Sequence, residues 1–397
     1  MTVENPTRVS VHEAWVATDR DGGRRWWPVI LTLVVILVVA AAVAGWMIGG
    51  RGDRSPAAAA RADLDAARVA LINAPGAHYT GRLTVPGGKK ATIDLRVTNV
   101  GDASGTLEFA PGKPLSYLRI GGKTFVQGNT EAWIGYGFSA DDAARSDGQQ
   151  LLEPPAIGGL DVPATLTPSV LGRQLDPNAE ARKAVTAGPS IAIDGRRSTP
   201  LISGAVTTYV SSGQVDRITE RAFDIQVAPM TTDEVAGLYG DLRTAAAATE
   251  NATDSETKIT VAGSWSDPCG PDCTAIETLS SARQPFDAAT VSAPPADDIP
   301  VWYQMVLNVN GIVMPTPLCT GVLPIPMNAT ATVSCPFTIE AEGGTVDAVL
   351  KNHPLMGRVR ADALVTAVDG NATRSRAKTA CPVERVEGSA FWTKPGC

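Results

Sequence analysis

"IGGKTFVQGNTEAWIGYG" (residues 120–137) contains Gly-Lys-Thr, the tripeptide that ends a phosphate-binding loop. Its reading decides between two folds. Gly-x4-Gly-Lys-[Ser/Thr] cradles phosphate only after a buried parallel strand and at the opening of a helix. A Gly-Gly pair between two alternating segments is instead the turn of a β-hairpin, where positive φ is required. With Gly122 as the second glycine, the first would stand at 117, which is Tyr117. "SYLRI" alternates before the pair, and "KTFVQ" follows as a strand rather than a helix. The stretch reads as a hairpin, and no nucleotide site is expected.

The same alternation extends outward. "ATIDLRVTNV" places Ile93, Leu95 and Val97 on one face and Asp94 and Arg96 on the other. "GTLEFA" turns Leu107 and Phe109 inward, and "AHYTGRLTV" precedes them. This is an antiparallel meander with one buried face. A helix is predicted before it over 59–76, with Leu64, Ala67, Leu71 and Ile72 near one face and Pro75-Gly76 as its stop. Residues 138–188 form a polar, proline-rich excursion with one helical piece, "TPSVLGRQLDPNAEARKAV". Strands resume up to "FDIQVAPM", and "TTDEVAGLYGDLRTAAAA" closes the region as a Thr-capped helix.

Residues 257–397 differ in character. "WYQMVLNVNGIV", "ATVSCPFTIEA" and "GRVRADALVTAV" read as alternating strands, hence an all-β sandwich. All six cysteines lie here: Cys269, Cys273, Cys319, Cys335, Cys381 and Cys397. An even set confined to one segment points to disulfides and an oxidising compartment. Pairing by sequence neighbours, one of many possible connectivities, gives Cys269–Cys273, Cys319–Cys335 and Cys381–Cys397.

The N-terminal region sets a location. "PVILTLVVILVVAAAVAGWMI" (28–48) carries no charge, and about 20 apolar residues cross a hydrocarbon core. Trp26, Trp27 and Trp46 flank it like interfacial aromatics. A retained anchor is predicted, with the N-terminus cytoplasmic and the remainder extracytoplasmic at the cell membrane.

Composition excludes several functions. The 397 residues carry a formal charge of −7 with no Lys/Arg-rich block, so nucleic acid is not an expected partner. Only His12, His78 and His353 exist, and no H-E-x-x-H or G-x-S-x-G motif occurs. "CGPDC" lacks redox spacing and a nearby histidine for zinc. Neither an enzyme, a cofactor nor a metal is expected.

The order of helix, meander, "GG-K-x-[FY]-V…W" hairpin, "TPSVLGRQL" helix, "DG" strand pair and "SSGQVDRIT" resembles the LppX/LprG-type lipoproteins of actinobacteria, over about residues 62–245. That resemblance implies the LolA-like fold, a curved antiparallel sheet whose helices enclose an apolar cavity for acyl chains. The family's lipidated Cys is replaced here by the apolar segment. The cysteine-bearing tail is also foreign to the family, and points to a protein partner in the envelope.

The chain is thus expected to be a single-pass membrane protein. It would comprise a tail (1–27), a span (28–48), a spacer (49–61), a LolA-like α+β domain (62–248), a linker (249–256) and a disulfide-bonded β-sandwich (257–397). The expected function is non-enzymatic binding of a membrane lipid or lipid-linked glycan. The candidate cavity residues are Leu83, Ile93, Leu95, Leu107, Phe109, Leu118 and Ile120. The same residues would also form a closed core. In that case the protein is an envelope scaffold or sensor that binds another protein through its sandwich.

Overall fold

The structure, a computed structural model, describes residues 55–85, 88–153, 160–176, 184–265, 272–283, 298–338, 346–387 and 390–393. Helix α1 (Pro56–Asn73) starts at Ser55, whose side chain accepts from the Ala58 amide, with proline in its first turn. Two meanders follow. The first comprises β1 (Gly76–Thr84), β2 (Lys90–Thr98), β3 (Ala103–Ala110), β4 (Lys113–Ile120), β5 (Lys123–Gln127) and β6 (Gln150–Glu153). Between β5 and β6 lie two short helices, α2 (Thr130–Tyr136) and α3 (Ala140–Arg145). Then come α4 (Val162–Leu166) and α5 (Pro168–Gln174). The second meander comprises β7 (Thr186–Ala187), β8 (Ile191–Ile193), β9 (Arg196–Ser203), β10 (Val206–Ser211), β11 (Gln214–Thr219) and β12 (Phe223–Met230).

Pairing of β1 with β12 joins the meanders into one sheet of 12 strands, ordered β6-β5-β4-β3-β2-β1-β12-β11-β10-β9-β7, with β8 on β9. Gly121 (φ 55°) and Gly122 (φ 82°) form the two-residue turn between β4 and β5, with Ile120 opposite Lys123. The Gly-Lys-Thr tripeptide is therefore part of a hairpin. Strand β5 ends sooner than its sequence pattern suggests, because Asn129 caps α2 through the Ala132 amide (2.9 Å).

Alternation fixes which face each residue serves. Ile93, Leu95, Leu107, Leu115 and Ile225 form one core with Leu64, Ala67 and Leu71 of α1. Helix α1 also touches β7, β10 and β11, so both halves of the sheet wrap around it. The opposite face is covered only in part. There Leu118, Ile120, Phe125 and Leu152 pack beneath α6 (Thr232–Ala248) and α7 (Gly357–Ala380). Helix α6 opens with a capping box formed by Thr231 and Glu234.

The region beyond 257 corrects the all-β expectation. Strands β13 (Thr257–Trp265), β14 (Asp272–Arg283) and β18 (Thr330–Thr338) form one sheet. Strands β15 (Ile299–Val309), β16 (Ile312–Val313), β17 (Cys319–Ile325) and β19 (Val346–Pro354) form another. The two share a core that includes Leu279, Val301, Met305, Ile325 and Val333. The segment "GRVRADALVTAV" is then helix α7 and not a strand. Arg360, Leu364, Ala367, Asn371 and Ser375 are among its buried residues. They recur every three to four positions, the spacing of one helical face.

Helix α7 leaves the sandwich and docks on the large sheet through a polar seam. Asn371 Nδ2 donates to Asp102 (2.6 Å), Ser375 Oγ to Asn99 (2.7 Å) and Lys378 Nζ to the Asn99 carbonyl (2.7 Å). The last described elements form a hairpin, β20 (Val383–Glu387) and β21 (Ala390–Thr393). The Val383 amide donates to Asn73 of α1 (2.7 Å).

Residues 249–256 form a junction anchored by buried Thr249, Ala252 and Asp254, with Glu250, Asn251 and Ser255 exposed. Thr249 and Asp254 are fully buried. Asp254 accepts from Thr257 Oγ1 (2.6 Å), the Glu256 amide (3.0 Å) and buried Arg360. Arg360 also reaches Glu256 (3.1 Å), which pairs with Lys123 of β5 (2.6 Å). Ser55–Cys397 accordingly forms one unit rather than two.

The membrane expectation is corrected as well. Among the described residues no helix is long and apolar enough to cross a membrane. Helix α7 has the length, 24 residues, but carries Arg358, Arg360, Asp362, Asp369, Arg374, Arg376 and Lys378. Helix α1 carries Arg61, Asp63, Asp65 and Arg68. What the fold displays is mostly antiparallel sheet with a few helices, and neither a single-pass architecture nor a cell-membrane location follows from it. Segment 28–48 lies outside the described residues, as do 1–27 and 49–54. Among the cysteines, Cys319 and Cys335 are disulfide-bonded to each other, linking β17 to β18. Cys273 and Cys381 are disulfide-bonded too; their expected partners, Cys269 and Cys397, lie outside the described residues.

Candidate functional site

The far end of β1 and the start of β12 lie side by side, with Leu83 opposite Phe223. The short helices α4 and α5 lie over this end of the inner face. Asp161 caps α4 through the Ala164 amide (3.2 Å), and Pro168 in the first turn of α5 lets the second helix begin directly at Thr167. Helix α5 is tied to α1 by Arg68, fully buried, which reaches Asp176 just beyond α5 (2.7 Å) and Asp65 of α1 (3.2 Å). A buried guanidinium with two carboxylates fixes the roof where apolar contact alone would let it slide.

Between sheet and roof lies a cavity of about 270 Å³. Leu83, Leu160, Leu166, Leu171, Phe223 and Ile225 give it apolar walls, while Thr84, Thr165 and Gln174 supply the polar groups. Such a space suits an apolar chain, with hydrogen-bonding groups for a more polar portion.

Gly81 lies opposite Ile225. It has a φ of +138°, and a Cβ there would meet the Asp224 carbonyl oxygen at 2.3 Å. The inner face therefore has no side chain at this position. The next inward residue is Tyr79, fully buried, whose hydroxyl has no hydrogen-bond partner among the described residues. Burial alone pushes its phenol far above the usual value.

The seven candidate residues are divided by the fold. Leu83 lines the cavity. Ile93, Leu95 and Leu107 lie on the same face but are packed to 0–1% exposure in the core under α1. Phe109 is half-buried and rests on Tyr136 (ring centroids 5.2 Å apart). Leu118 and Ile120 are on the opposite face beneath α6 and α7, because β4 is apolar on both sides. The apolar wall residues missed were Leu160, Leu166 and Leu171 from the 138–188 excursion, and Phe223 and Ile225 of β12. Their signal was present: "TPSVLGRQL" was legible as a helix and "FDIQVAPM" as a strand, but neither had been turned toward the cavity.

Elsewhere the two described histidines have structural partners. His78 pairs with Asp94 (2.7 Å), and His353 stacks on Trp302 (centroids 4.8 Å apart). Burial drives Asp102 up to about 6, against the lowering by Asn371 and the Gly121 amide. A second cavity of about 270 Å³ is lined by Arg173 and Lys378 at the C-terminal ends of α5 and α7. Lys378 donates to the Asn99 carbonyl (2.7 Å) and to Ser169 Oγ (3.3 Å), and Arg173 Nε to the Ser169 carbonyl (3.0 Å), which accounts for both. Among the described residues no group of three or more His, Cys, Asp or Glu could hold a metal.

The chain matches no protein-family profile and no curated protein. Its likenesses to solved structures include the MucA/MucB complex of Pseudomonas aeruginosa, at 13% identity over 71% of this chain and 94% of that one, with a TM-score of 0.24. Another is the MHC-like protein MILL2, at 10% identity over 70% of this chain and 98% of that one, with a TM-score of 0.14. Scores this low carry no argument about fold or function.

Proposed function

We propose that this is a binding protein, not an enzyme, which takes the apolar chain of an amphipathic ligand, a lipid or lipid-linked glycan, between the end of the β1–β12 pair and the α4–α5 roof. The observation that supports this reading is the cavity itself, with apolar walls of Leu, Ile and Phe and polar groups at Thr84, Thr165 and Gln174. The sequence resemblance to acyl-chain carriers points the same way. A volume of about 270 Å³ lies at the lower edge of small-molecule sites, which begin at roughly 300 Å³. The pocket takes part of one chain rather than a whole multiply acylated lipid.

Two tryptophan substitutions separate pocket from core. Leu83→Trp fills the cavity and should abolish displacement of a fluorescent fatty-acid probe while leaving the unfolding midpoint nearly unchanged. Leu95→Trp has no space to fill and should lose about 1–3 kcal/mol by overpacking. A wild type that binds no such probe, and carries no lipid by mass spectrometry, would end this reading.

A further inference from the structure

The sandwich has an open edge. Strand β13 pairs with β14 alone, in unbroken register from Thr257 to Trp265. Strand β18, at the other end of that sheet, is tied to β17 by the Cys319–Cys335 disulfide. Strand β19 of the facing sheet comes near β13 without pairing with it. Among the described residues no strand meets the free edge of β13, and neither a proline nor a bulge blunts it. Val261 and Gly263 share the inward face with their β14 partners Leu279 and Glu277. Yet Val261 is 40% exposed, and Gly263 is exposed too. Glu277 itself is 7% exposed, on the core side between Ala275 and Leu279. Among the described residues it has no hydrogen-bond or ion-pair partner, and burial raises its carboxyl above the usual range. Its oxygens lie over Gly263, where a Cβ would meet them at 2.8 and 2.9 Å.

We propose that the free edge of β13 takes an extended segment of a partner protein as an added strand, and that this segment carries a lysine or arginine opposite Gly263 whose cation pairs with Glu277. Main-chain hydrogen bonds give an added strand its affinity, and its inward side chains give specificity. Neighbouring strands lie about 4.8 Å apart. The carboxylate, already over Gly263, is then one strand spacing from the added residue, within the span of a basic side chain. Gly263 has no side chain to stand between them. A strand without a cation would seal the carboxylate from water unpaired, at a cost. The same group turns away a second copy of this chain. The one charged residue of β13, Lys258, is on its outward face, so self-pairing through β13 brings Glu277 no cation. Opposite Val261 the segment carries an apolar side chain, which gives it an apolar-x-basic pattern.

The test uses fluorescent nonapeptides of alternating threonine and valine, in which one lysine replaces each valine in turn, and their norleucine counterparts. Binding to the wild type and to Glu277→Gln is read by anisotropy at pH 7. The best lysine peptide should bind the wild type about ten- to a hundredfold more tightly than its norleucine counterpart, the size of one hydrogen-bonded charge. Glu277→Gln should remove that difference without weakening the norleucine peptide. Hydrogen exchange in Thr257–Trp265 of the wild type should slow when the lysine peptide is bound, a readout that does not require the variant to fold. If peptides slow exchange in β13 but lysine gives no advantage, or the advantage survives in the variant, the pairing with Glu277 is overturned. If no peptide slows exchange there, the edge takes no strand and the proposal falls. If exchange slows with rising protein concentration alone, together with a dimer in sedimentation, a second copy is the occupant and the proposal falls as well. None of these outcomes touches the cavity at the β1–β12 pair, whose own probes decide it separately.

Discussion

Replacing Arg360 by methionine keeps the length of the side chain and removes its charge. In the folded protein Arg360 and Asp254 are both fully buried and paired, and Arg360 also holds Glu256 at 3.1 Å. Asp254 would keep two donors, Thr257 Oγ1 at 2.6 Å and the Glu256 amide at 3.0 Å, but would lose the charge that balances it. Breaking a buried pair in this way costs about 3–5 kcal/mol, whereas an exposed pair contributes about 0–1 kcal/mol. Because Glu256 retains Lys123 at 2.6 Å, the lower part of the buried range is expected. The assay is urea unfolding followed by circular dichroism, with the midpoint converted at constant slope. The double variant Asp254→Asn, Arg360→Met removes both charges and should recover most of the loss. A single variant that loses less than about 1 kcal/mol would show that 249–256 behaves as a solvated linker after all. A double variant no better than the single would show that stranded charge is not the cause.

Asp102 gives a pH dependence of opposite sign to the usual carboxylate. Its folded value of about 6 exceeds the model-compound 3.8, so the folded chain keeps a proton that the unfolded chain releases between them. Stability should therefore fall as pH rises from about 4 to about 6, by up to about 3 kcal/mol, and level off above; Asp102→Asn should flatten that slope in urea titrations across the same window. The disulfide between Cys319 and Cys335 closes a loop of 16 residues, so Cys319→Ala with Cys335→Ala should cost about 3 kcal/mol in the chain-entropy model, read as a lower thermal midpoint that reductant does not lower further through this pair.

What could be read in advance depended on how local each determinant was. The Gly121-Gly122 turn, the inward Ile93, Leu95 and Val97, and the Thr231 cap are set by residues within a few positions of each other, and the sequence pattern contains them. Strand β4 was only half legible. Its apolar residues serve two faces, and nothing in "LSYLRI" says that Leu118 and Ile120 meet a helix more than 200 residues away. Helix α7 was misread because Val359, Val365 and Val368 favour a strand locally, while the tertiary contacts of Arg360, Leu364 and Asn371 favour a helix. The junction at 249–256 was misread for a related reason. Small polar residues commonly mark linkers, and the charge that draws Asp254 inside lies 106 residues away. Of the candidate cavity, only Leu83 was identified: Leu160, Leu166 and Leu171 depended on where the 138–188 excursion folds back, and Phe223 and Ile225 on the pairing of β12 with β1, about 140 residues apart in sequence.

Helix α7 also sets the timetable of folding. A nascent chain has completed all 12 strands of the large sheet, and α6, before any part of α7 exists. Until then the flank carrying Leu118, Ile120 and Phe125 lacks half its cover, and Asn99 and Asp102 await partners 276 and 269 residues downstream. Contacts of such separation are closed last and slowly. An apolar strip beside unpaired polar groups therefore stays open through much of synthesis, which is the interval in which the chain would be most exposed to misassociation with its neighbours.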